Sequence, residues 1–306
     1  MSITWSIETR QRLIVAGLLG LVALLWTIAE ILPTMLAPDY SLYQVVWVRY
    51  GTHILLMLLA LVPRHGLALM RTRRPALQIG RGLLMIGMPA SYIASLGHAR
   101  GLDVVAVFWL TPLLLLAFAA LVQHDYAHWS LWVAAFGSFL GAQLILRPGP
   151  EVLAAIPYGL AMGLSFSLYV VLTRSLRDEA TMTNLFYSAL VVFLPLTFFL
   201  PAFWMPLTPR DALLMAAVGV VGLGVLWAID KATDLAPISG LASLFTLQLV
   251  IIAVLLPALT GMRPGRLVLA GAGLVVASAV AGWLLPLRFS ATPVDQAQVR
   301  VPMEGR

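Results

Sequence analysis

Two pairs of residues with helical spacing stand out near the start of the chain. Trp26 and Glu30 are four residues apart, as are Arg49 and His53. Residues at this spacing lie on one face of a helix, and a charged residue within a long apolar helix usually faces a partner or a cavity. Glu30 and Arg49 therefore either form a structural ion pair, or serve as a switch or as a site for a substrate's ammonium and carboxylate groups.

The sequence holds no motif of a soluble enzyme or an ATP-driven pump. The motifs G-x-x-x-x-G-K-[ST], H-E-x-x-H and G-x-S-x-G are all absent. There are no cysteines, and none of the five histidines forms a pair at metal-ligand spacing within one apolar segment. We therefore expect neither a metal nor a cofactor, and an intramembrane enzyme would depend on Glu30, Arg49 and His53.

The composition requires lipid as the solvent. Apolar residues make up 61% of the 306 residues and charged residues only 10%, whereas soluble domains carry about 25% charged residues. Ten segments are apolar and long enough to cross the roughly 30 Å of hydrocarbon in a bilayer. They are 13–33, 42–62, 79–98, 103–122, 129–146, 152–173, 183–203, 211–229, 237–258 and 267–287.

The distribution of Lys and Arg predicts the orientation of these spans. With the N-terminus inside, twelve of these residues fall on inner segments and five in outer loops, as the positive-inside rule requires. We expect a multi-pass protein of the bacterial inner (plasma) membrane with both termini cytoplasmic. Glu30 and Arg49 then lie in the outer half of the bilayer, and residues 288–306 form a disordered cytoplasmic tail.

The two halves of the chain resemble each other. Thr111 in span 4 lies 135 residues before Thr246 in span 9, and similar sequence surrounds both. Residues 12–147 and 152–287 then form two five-span repeats, and because five is odd the copies have opposite orientations. Inverted repeats are typical of secondary transporters, whose substrate site lies near the midplane between the repeats. The expected fold is an all-α polytopic membrane protein with ten transmembrane helices.

Several local motifs accompany this repeat. They are Leu24-Leu-Trp-Thr27, Ala99-x-x-Leu followed after eight intervening residues by Thr111-Pro112, Ile145-Leu-Arg-Pro-Gly149, Trp227-x-x-x-x-x-Thr233 and Gly240-Leu-Ala-Ser-Leu-Phe-Thr246. Over roughly residues 12–287 the chain resembles the drug/metabolite transporter superfamily, specifically its ten-span EamA-type members. The last two motifs are most similar to those of YddG-type amino-acid exporters.

The resemblance implies a central, largely uncharged cavity lined by spans 1, 3, 4, 6, 8 and 9. Aromatic faces there stack on an apolar or aromatic substrate, while hydroxyls and backbone carbonyls bind its polar end. For each aromatic residue, the alternative is helix packing or a place in an interfacial belt. The expected substrate-binding residues are Trp26, Tyr92, Trp109, Thr111, Ser165, Tyr169, Trp227 and Ser243.

The function that this resemblance implies is export of amino acids, aromatic or otherwise apolar, and of related small metabolites by alternating access. One alternative is an uptake transporter for a metabolite such as S-adenosylmethionine or riboflavin. Another, from a different class, is an intramembrane enzyme. The expected partners are an amino-acid-like small molecule and the lipid bilayer, without nucleic acid, and the expected assembly is a monomer.

Pro112 predicts motion in span 4. A proline inside a helix removes a backbone hydrogen bond and favours a kink. The equivalent residue of span 9 is Leu247, 135 residues later. We therefore expect Pro112 to act as a hinge, so that span 4 bends when the access side changes and span 9 stays straighter.

Overall fold

A computed structural model describes residues 7–36, 40–66, 70–261 and 263–284, and the predicted tail 288–306 lies outside them. Every regular element in the described ranges is helical. The α-helices are α1 (Ile7–Ile31), α2 (Leu42–His65), α3 (Pro75–Ser95), α4 (Gly101–Phe108), α5 (Thr111–Gln123), α6 (Trp129–Leu146), α7 (Val152–Ser175), α8 (Thr181–Phe199), α9 (Pro209–Leu235), α10 (Ile238–Leu241), α11 (Leu247–Thr260) and α12 (Arg266–Leu284).

Nine helical segments within the described ranges are long and apolar enough to cross a membrane. Each coincides with a predicted span. The helices α4 and α5 together supply one of them, and α10 and α11 with the turn between them supply another. The remaining predicted span, 79–98, falls on α3, which has 21 residues but is less apolar because it includes the buried Gln78 and Arg81. The chain is therefore an all-helical, multi-pass membrane protein.

The bundle has two ends, which we name by α1. The near end is where α1 begins, and the far end is where α2 begins. At the far end, Ser41 caps α2 by accepting a hydrogen bond of 3.2 Å from the backbone N–H of Gln44. The Gln44 side chain in turn donates to the carbonyl oxygen of Met205 at 2.7 Å. The first turn of α2 is thus tied to the loop before α9.

Helices from the two halves of the chain pack against each other in matched pairs. The helix α3 packs on α7 and α1 packs on α9, while α2 lies along α8 and α6 along α12. The contact between α6 and α12 is backbone to backbone, because a Cβ atom on Gly141 would lie 2.8 Å from the carbonyl oxygen of Gly271. The contact of α3 with α7 has its counterpart in the contact of α9 with α1. The contacts of α2 with α8 and of α6 with α12 each join corresponding spans of the two halves.

Spans 4 and 9 are both interrupted, at matching positions. Between α4 and α5, the Thr111 hydroxyl donates to the carbonyl oxygen of Phe108 at 2.5 Å. Between α10 and α11, which are separated by the 3-10 turn Ala242–Thr246, the Thr246 hydroxyl donates to the carbonyl oxygen of Ser243 at 2.6 Å. In each case a threonine hydroxyl satisfies a carbonyl at the break.

Span 9 is not an unbroken helix in this structure, and its staying straighter than span 4 when the access side changes remains a prediction. Span 9 is interrupted by a 3-10 turn although Leu247 stands where span 4 has Pro112. In addition, Pro112 lies in the first turn of α5, where a backbone N–H has no helical partner and proline is readily accommodated. The break in span 4 therefore comes before Pro112, at Trp109 and Leu110.

Candidate functional site

A cavity of about 450 Å³ lies between α1, α2, α3, α4, α7 and α9. It is bordered at the far end by Pro33 and Leu42, and it extends inward to Phe166 and Ile229. This volume lies in the range of pockets that hold small metabolites. We call it the Trp26 cavity.

Aromatic and thioether side chains form the inner wall of the Trp26 cavity. The Trp26 ring lies 5.2 Å, between centroids, from the ring of Phe166 on α7. Three methionines also line the cavity: Met85, Met88 and Met162. Aromatic faces stack on planar substrates or attract cations, and methionine adapts its shape to irregular ligands. This wall suits a substrate with a flat or cationic part.

Glu30 faces the same cavity one helical turn farther toward the far end than Trp26. Its carboxylate oxygen Oε2 accepts a hydrogen bond of 2.7 Å from the Gln248 amide on α11. Gln248 itself is 1% exposed, so its amide is held in place by the surrounding helices. The hydrogen bond from Gln248 therefore orients the carboxylate group of Glu30, while the residue remains exposed and lines the cavity.

Arg49 lines the cavity from α2. Its guanidinium carbon lies 5.6 Å from the centre of the Tyr50 ring. The side chain passes close to α9, because a Cβ atom on Gly222 would lie 2.5 Å from Arg49 Nε. That Nε atom is buried and makes no hydrogen bond within the described part of the protein.

Glu30 and Arg49 do not form an ion pair. Both residues lie in the described part of the chain, yet their charged atoms are not within 4.0 Å of each other. The two side chains therefore do not contact each other directly in this structure, and their role as a charge pair or a switch stays a prediction. His53 does not reach the cavity but is fully buried, with its ring 5.0 Å from that of Tyr50.

Of the predicted substrate-binding residues, the structure brings Trp26 and Tyr92 to the cavity. Trp109 is 2% exposed and lies behind Trp26, with ring centroids 6.4 Å apart. Thr111 is fully buried at the break in span 4. Trp227 is partly buried and packs against the hydrophobic core without lining the cavity.

The remaining three predicted residues lie at helix contacts. The Ser165 hydroxyl faces Gly87, and the Ser243 hydroxyl faces Gly282. In both places the glycine leaves room for the serine oxygen, so these serines belong to close helix packing. Tyr169 is 1% exposed and lies in a second group of buried polar residues.

A second group of polar residues is buried toward the near end, and we call it the Arg81 cluster. Arg81 on α3 lies 3.7 Å from the carboxylate of Asp230 on α9, and both side chains are almost fully buried. Arg81 also donates to the hydroxyls of Thr173 at 3.1 Å and Ser188 at 2.7 Å. Its guanidinium carbon lies 5.1 Å from the centre of the Tyr169 ring.

Asn184 on α8 completes the Arg81 cluster. Its carbonyl oxygen accepts a hydrogen bond from Arg81, and its side-chain amide donates to Asp230 at 3.2 Å. The Gln78 amide donates to the Asn184 side chain at 2.7 Å. The cluster therefore joins four helices, α3, α7, α8 and α9, through charged and polar groups.

Hydrogen bonds also join the halves of the chain at the near end itself. Arg174 on α7 donates to the carbonyl oxygens of Thr233 at 2.6 Å and Ala236 at 2.5 Å. Asp125, which follows α5, accepts from the backbone N–H of Ser239 at 2.9 Å and from its hydroxyl at 2.8 Å. These bonds hold the near end together, opposite the mouth of the Trp26 cavity.

Some cavity residues were not predicted from the sequence. Tyr50 and Met162 line the cavity, and Gln248 orients Glu30 from behind. Gln248 did carry a signal, since it is a polar residue inside an apolar span two positions after Thr246. Arg81 and Asp230 carried the same kind of signal, but their partnership depends on the contact between α3, α8 and α9. Within the described ranges, no three His, Asp or Glu side chains come together as metal ligands.

The chain is similar to transport proteins of Rickettsia. It is 26% identical to the S-adenosylmethionine uptake transporter of Rickettsia prowazekii (strain Madrid E) over 208 residues, which cover 65% of this chain and 68% of that protein. It is also 26% identical to the S-adenosylmethionine uptake transporter of Rickettsia felis (strain ATCC VR-1525 / URRWXCal2) over 230 residues, or 72% of this chain and 76% of that protein. No protein-family model matches the chain.

The fold is shared with a protein of known crystal structure. The two superpose with a TM-score of 0.76 at 18% sequence identity, covering 88% of this chain and 96% of the other. Identity this low shows a common fold alone. Together, the similar transporters and the apolar helices support a multi-pass membrane transporter.

Proposed function

We propose that this protein carries S-adenosylmethionine, or a metabolite of closely similar chemistry, across the membrane through the Trp26 cavity. The observation that carries the proposal is a metabolite-sized cavity, lined by two opposite charges and several aromatic rings, in a chain similar to S-adenosylmethionine uptake transporters. These relatives support the uptake alternative better than the amino-acid export implied by the sequence motifs.

The chemistry of the cavity suits this substrate. S-adenosylmethionine joins an amino-acid head group, through a positively charged sulfonium, to an adenosyl group. Trp26 and Phe166 offer faces on which a purine stacks and a sulfonium is attracted. Glu30 and Arg49 offer charges for the head group. An amino acid alone would leave much of the roughly 450 Å³ unfilled.

The proposed architecture is ten transmembrane helices in two inverted repeats, residues 12–147 and 152–287, with α3 as the tenth span. Two features support it. Contacts between the halves come in matched pairs, such as α3 with α7 and α1 with α9. The breaks in spans 4 and 9 also carry the same threonine-to-carbonyl hydrogen bond, at Thr111 and Thr246. This organisation is that of the drug/metabolite transporter superfamily named above.

Transport proceeds by alternating access in this proposal. Substrate enters the Trp26 cavity from the far end, and the far end then closes while the near end opens. Opening the near end separates Arg174 from the carbonyls of Thr233 and Ala236, and Asp125 from Ser239. These bonds form again when the empty carrier returns.

The proposed orientation makes the open end external. With both termini in the cytoplasm of a bacterial cell, the near end faces the cytoplasm and the far end faces outward. A cavity that opens outward is the loading state of an uptake carrier. Residues 288–306 then follow on the cytoplasmic side, and the working unit is a monomer because one chain encloses the whole cavity.

Counterflow in liposomes tests the proposal. Purified protein is reconstituted into vesicles preloaded with unlabelled S-adenosylmethionine, and uptake of external radiolabelled S-adenosylmethionine is followed. We expect transient accumulation that external S-adenosylmethionine competes away, while phenylalanine and riboflavin do not. Accumulation driven by phenylalanine but not by S-adenosylmethionine would instead support the amino-acid carrier, and no accumulation beyond protein-free vesicles would refute the proposal.

A further inference from the structure

We propose that Glu30 and Arg49 divide the charges of the substrate's amino-acid head group, Glu30 binding the ammonium and Arg49 the carboxylate. This inference rests on the proposed function. It assigns each end of the head group to one side chain and places the head group in the outer part of the cavity, near the far end. The adenosyl group then points inward toward Trp26 and Phe166.

Two opposite charges share the Trp26 cavity without contacting each other. Glu30 and Arg49 both line the Trp26 cavity, and their charged atoms are more than 4.0 Å apart in this described part of the protein. Opposite charges attract strongly where water is scarce. A gap between them therefore leaves space for a group that carries both complementary charges, as a zwitterionic head group does.

Contacts with the protein hold each of the two charged groups in position. Glu30 accepts a hydrogen bond from Gln248 through Oε2, and the residue lines the cavity, where a ligand can reach it. Arg49 is confined between the Tyr50 ring and α9 at Gly222. A larger residue than glycine at position 222 would displace the guanidinium. Both side chains are thus positioned before a substrate arrives, which lowers the entropy lost on binding.

Arg49, which is partly buried, contrasts with the fully buried Arg81. Arg81 has a carboxylate within 3.7 Å, two hydroxyl acceptors and one backbone carbonyl. Arg81 lacks a partner only at Nε, whereas the Arg49 guanidinium makes no hydrogen bond to any acceptor in the described structure. Arginine binds a carboxylate through two parallel N–H groups, so the cavity supplies the donor and a substrate carboxylate supplies the missing acceptor.

The orientation of the substrate follows from the order of residues along α1. Glu30 is one turn nearer the far end than Trp26 on the same face, and Phe166 packs against Trp26 from α7. A head group at Glu30 therefore directs the rest of the molecule inward. The sulfonium and purine then lie among Trp26, Phe166 and the methionines, where a cation meets aromatic faces.

Substrate analogues combined with variants test the assignment. The probes are S-adenosylmethionine, its decarboxylated form and the analogue in which the α-amino group is replaced by hydrogen. Their affinities for the detergent-purified full chain are measured by calorimetry. For the unmodified protein, we expect loss of either group to weaken binding by about 10- to 100-fold, as for a hydrogen bond to a charged partner.

The variants Arg49→Gln and Glu30→Gln should change selectivity in opposite ways. Arg49→Gln should bind S-adenosylmethionine and its decarboxylated form about equally, yet still discriminate against the analogue without the amino group. Glu30→Gln should show the reverse pattern. The matched controls Arg147→Gln and Glu151→Gln alter exposed residues outside the cavity and should keep both discriminations.

The outcomes separate this inference from the proposed function. If the unmodified protein binds S-adenosylmethionine but tolerates loss of the carboxylate or the amino group, the head-group assignment is overturned and the transport proposal stands. That result needs no variant to fold. If both variants keep both discriminations, the assignment is also overturned. If the unmodified protein binds none of the three compounds, the proposed substrate fails and the assignment with it.

Discussion

Arg81, which is fully buried, and Arg49, which is partly buried, lie in contrasting surroundings. Arg81 is enclosed by Asp230, Asn184, Thr173 and Ser188, and its guanidinium is fully buried. Arg49 borders a cavity, shares it with Glu30, and does not contact that carboxylate. The first arrangement satisfies the charge within the protein. The second leaves charge available to a ligand.

The difference separates a structural from a functional use of charge within a membrane. A charged residue at membrane depth is costly and is usually paired or faces a water-filled cavity. The Arg81 cluster joins α3, α7, α8 and α9 toward the near end. Glu30 and Arg49 line the Trp26 cavity, which reaches the far end at Pro33 and Leu42. We therefore expect substitutions in the first group to affect folding and those in the second to affect transport.

The largest expected effect is in the Arg81 cluster. Arg81→Met leaves the Asp230 carboxylate buried without its counter-charge, at a cost of about 3–5 kcal/mol in the free energy of unfolding. We expect low yield of folded protein and a strongly lowered melting temperature in detergent. Thermal unfolding followed by circular dichroism measures this.

A double substitution sharpens that prediction. Arg81→Met combined with Asp230→Leu removes both charges and keeps apolar volume in the site. Because no unpaired charge remains, the double variant should melt above either single variant. A double variant as unstable as the sum of the two singles would show that the ion pair is not what stabilises this region.

The next largest effect is expected on transport, when Glu30 or Arg49 is replaced. Since the two charges are not in contact, Glu30→Gln and Arg49→Gln should each lower transport by about tenfold or more, with melting temperatures close to that of the unmodified protein. The double variant should not recover activity, because the substrate has then lost both binding groups. Recovery of transport in the double variant would instead support a direct ion pair that forms during the cycle.

Aromatic residues should show the same division. Substitution of one that lines the cavity should affect transport, and substitution of one that is buried should affect stability. Trp26→Ala, at the cavity wall, should reduce transport with little loss of stability. Tyr169→Leu and Trp109→Ala, both almost fully buried, should lower stability, by about 3–5 kcal/mol for the tryptophan. Trp227→Ala should leave transport near normal. Equal loss of transport in Trp26→Ala and Trp227→Ala, at equal expression, would contradict the cavity assignment.

Much of the fold could be predicted from the sequence. The long apolar runs indicate the spans to within a few residues, for example 129–146, which is the extent of α6. The interruption of span 9 could not be predicted, because no proline or charge marks it. It depends on a 3-10 turn and on the Thr246 hydroxyl, which replaces a backbone donor at the carbonyl of Ser243.

The candidate site could be predicted only in part. Glu30, Arg49 and Trp26 are conspicuous as charged or aromatic residues inside apolar segments, and all three line the cavity. Ser165 and Ser243 are equally polar, but they face glycines on neighbouring helices. Which face of a helix meets a cavity depends on the packing of distant spans. The residue pattern within one span does not indicate how distant spans pack.

The smallest expected effect is at the break in span 4, behind the cavity wall. Pro112 lies in the first turn of α5, and backbone bonds from Leu113 and Leu114 to the Leu110 carbonyl already begin that helix. Pro112→Ala therefore restores no missing hydrogen bond and should change stability by less than about 1 kcal/mol. Thr111→Val removes the hydroxyl that satisfies the Phe108 carbonyl and should cost about 1 kcal/mol.

The matching position in span 9 provides the control for this last prediction. Thr246→Val removes the equivalent bond to the Ser243 carbonyl, so its effect on counterflow rate should resemble that of Thr111→Val. Both should exceed the effect of Pro112→Ala. Spin labels placed on either side of the break in span 4 would report whether its angle changes when S-adenosylmethionine is added. If Pro112→Ala slows transport more than Thr111→Val and abolishes a substrate-dependent change in that distance, then Pro112 is the hinge, and the hydroxyl bond is secondary.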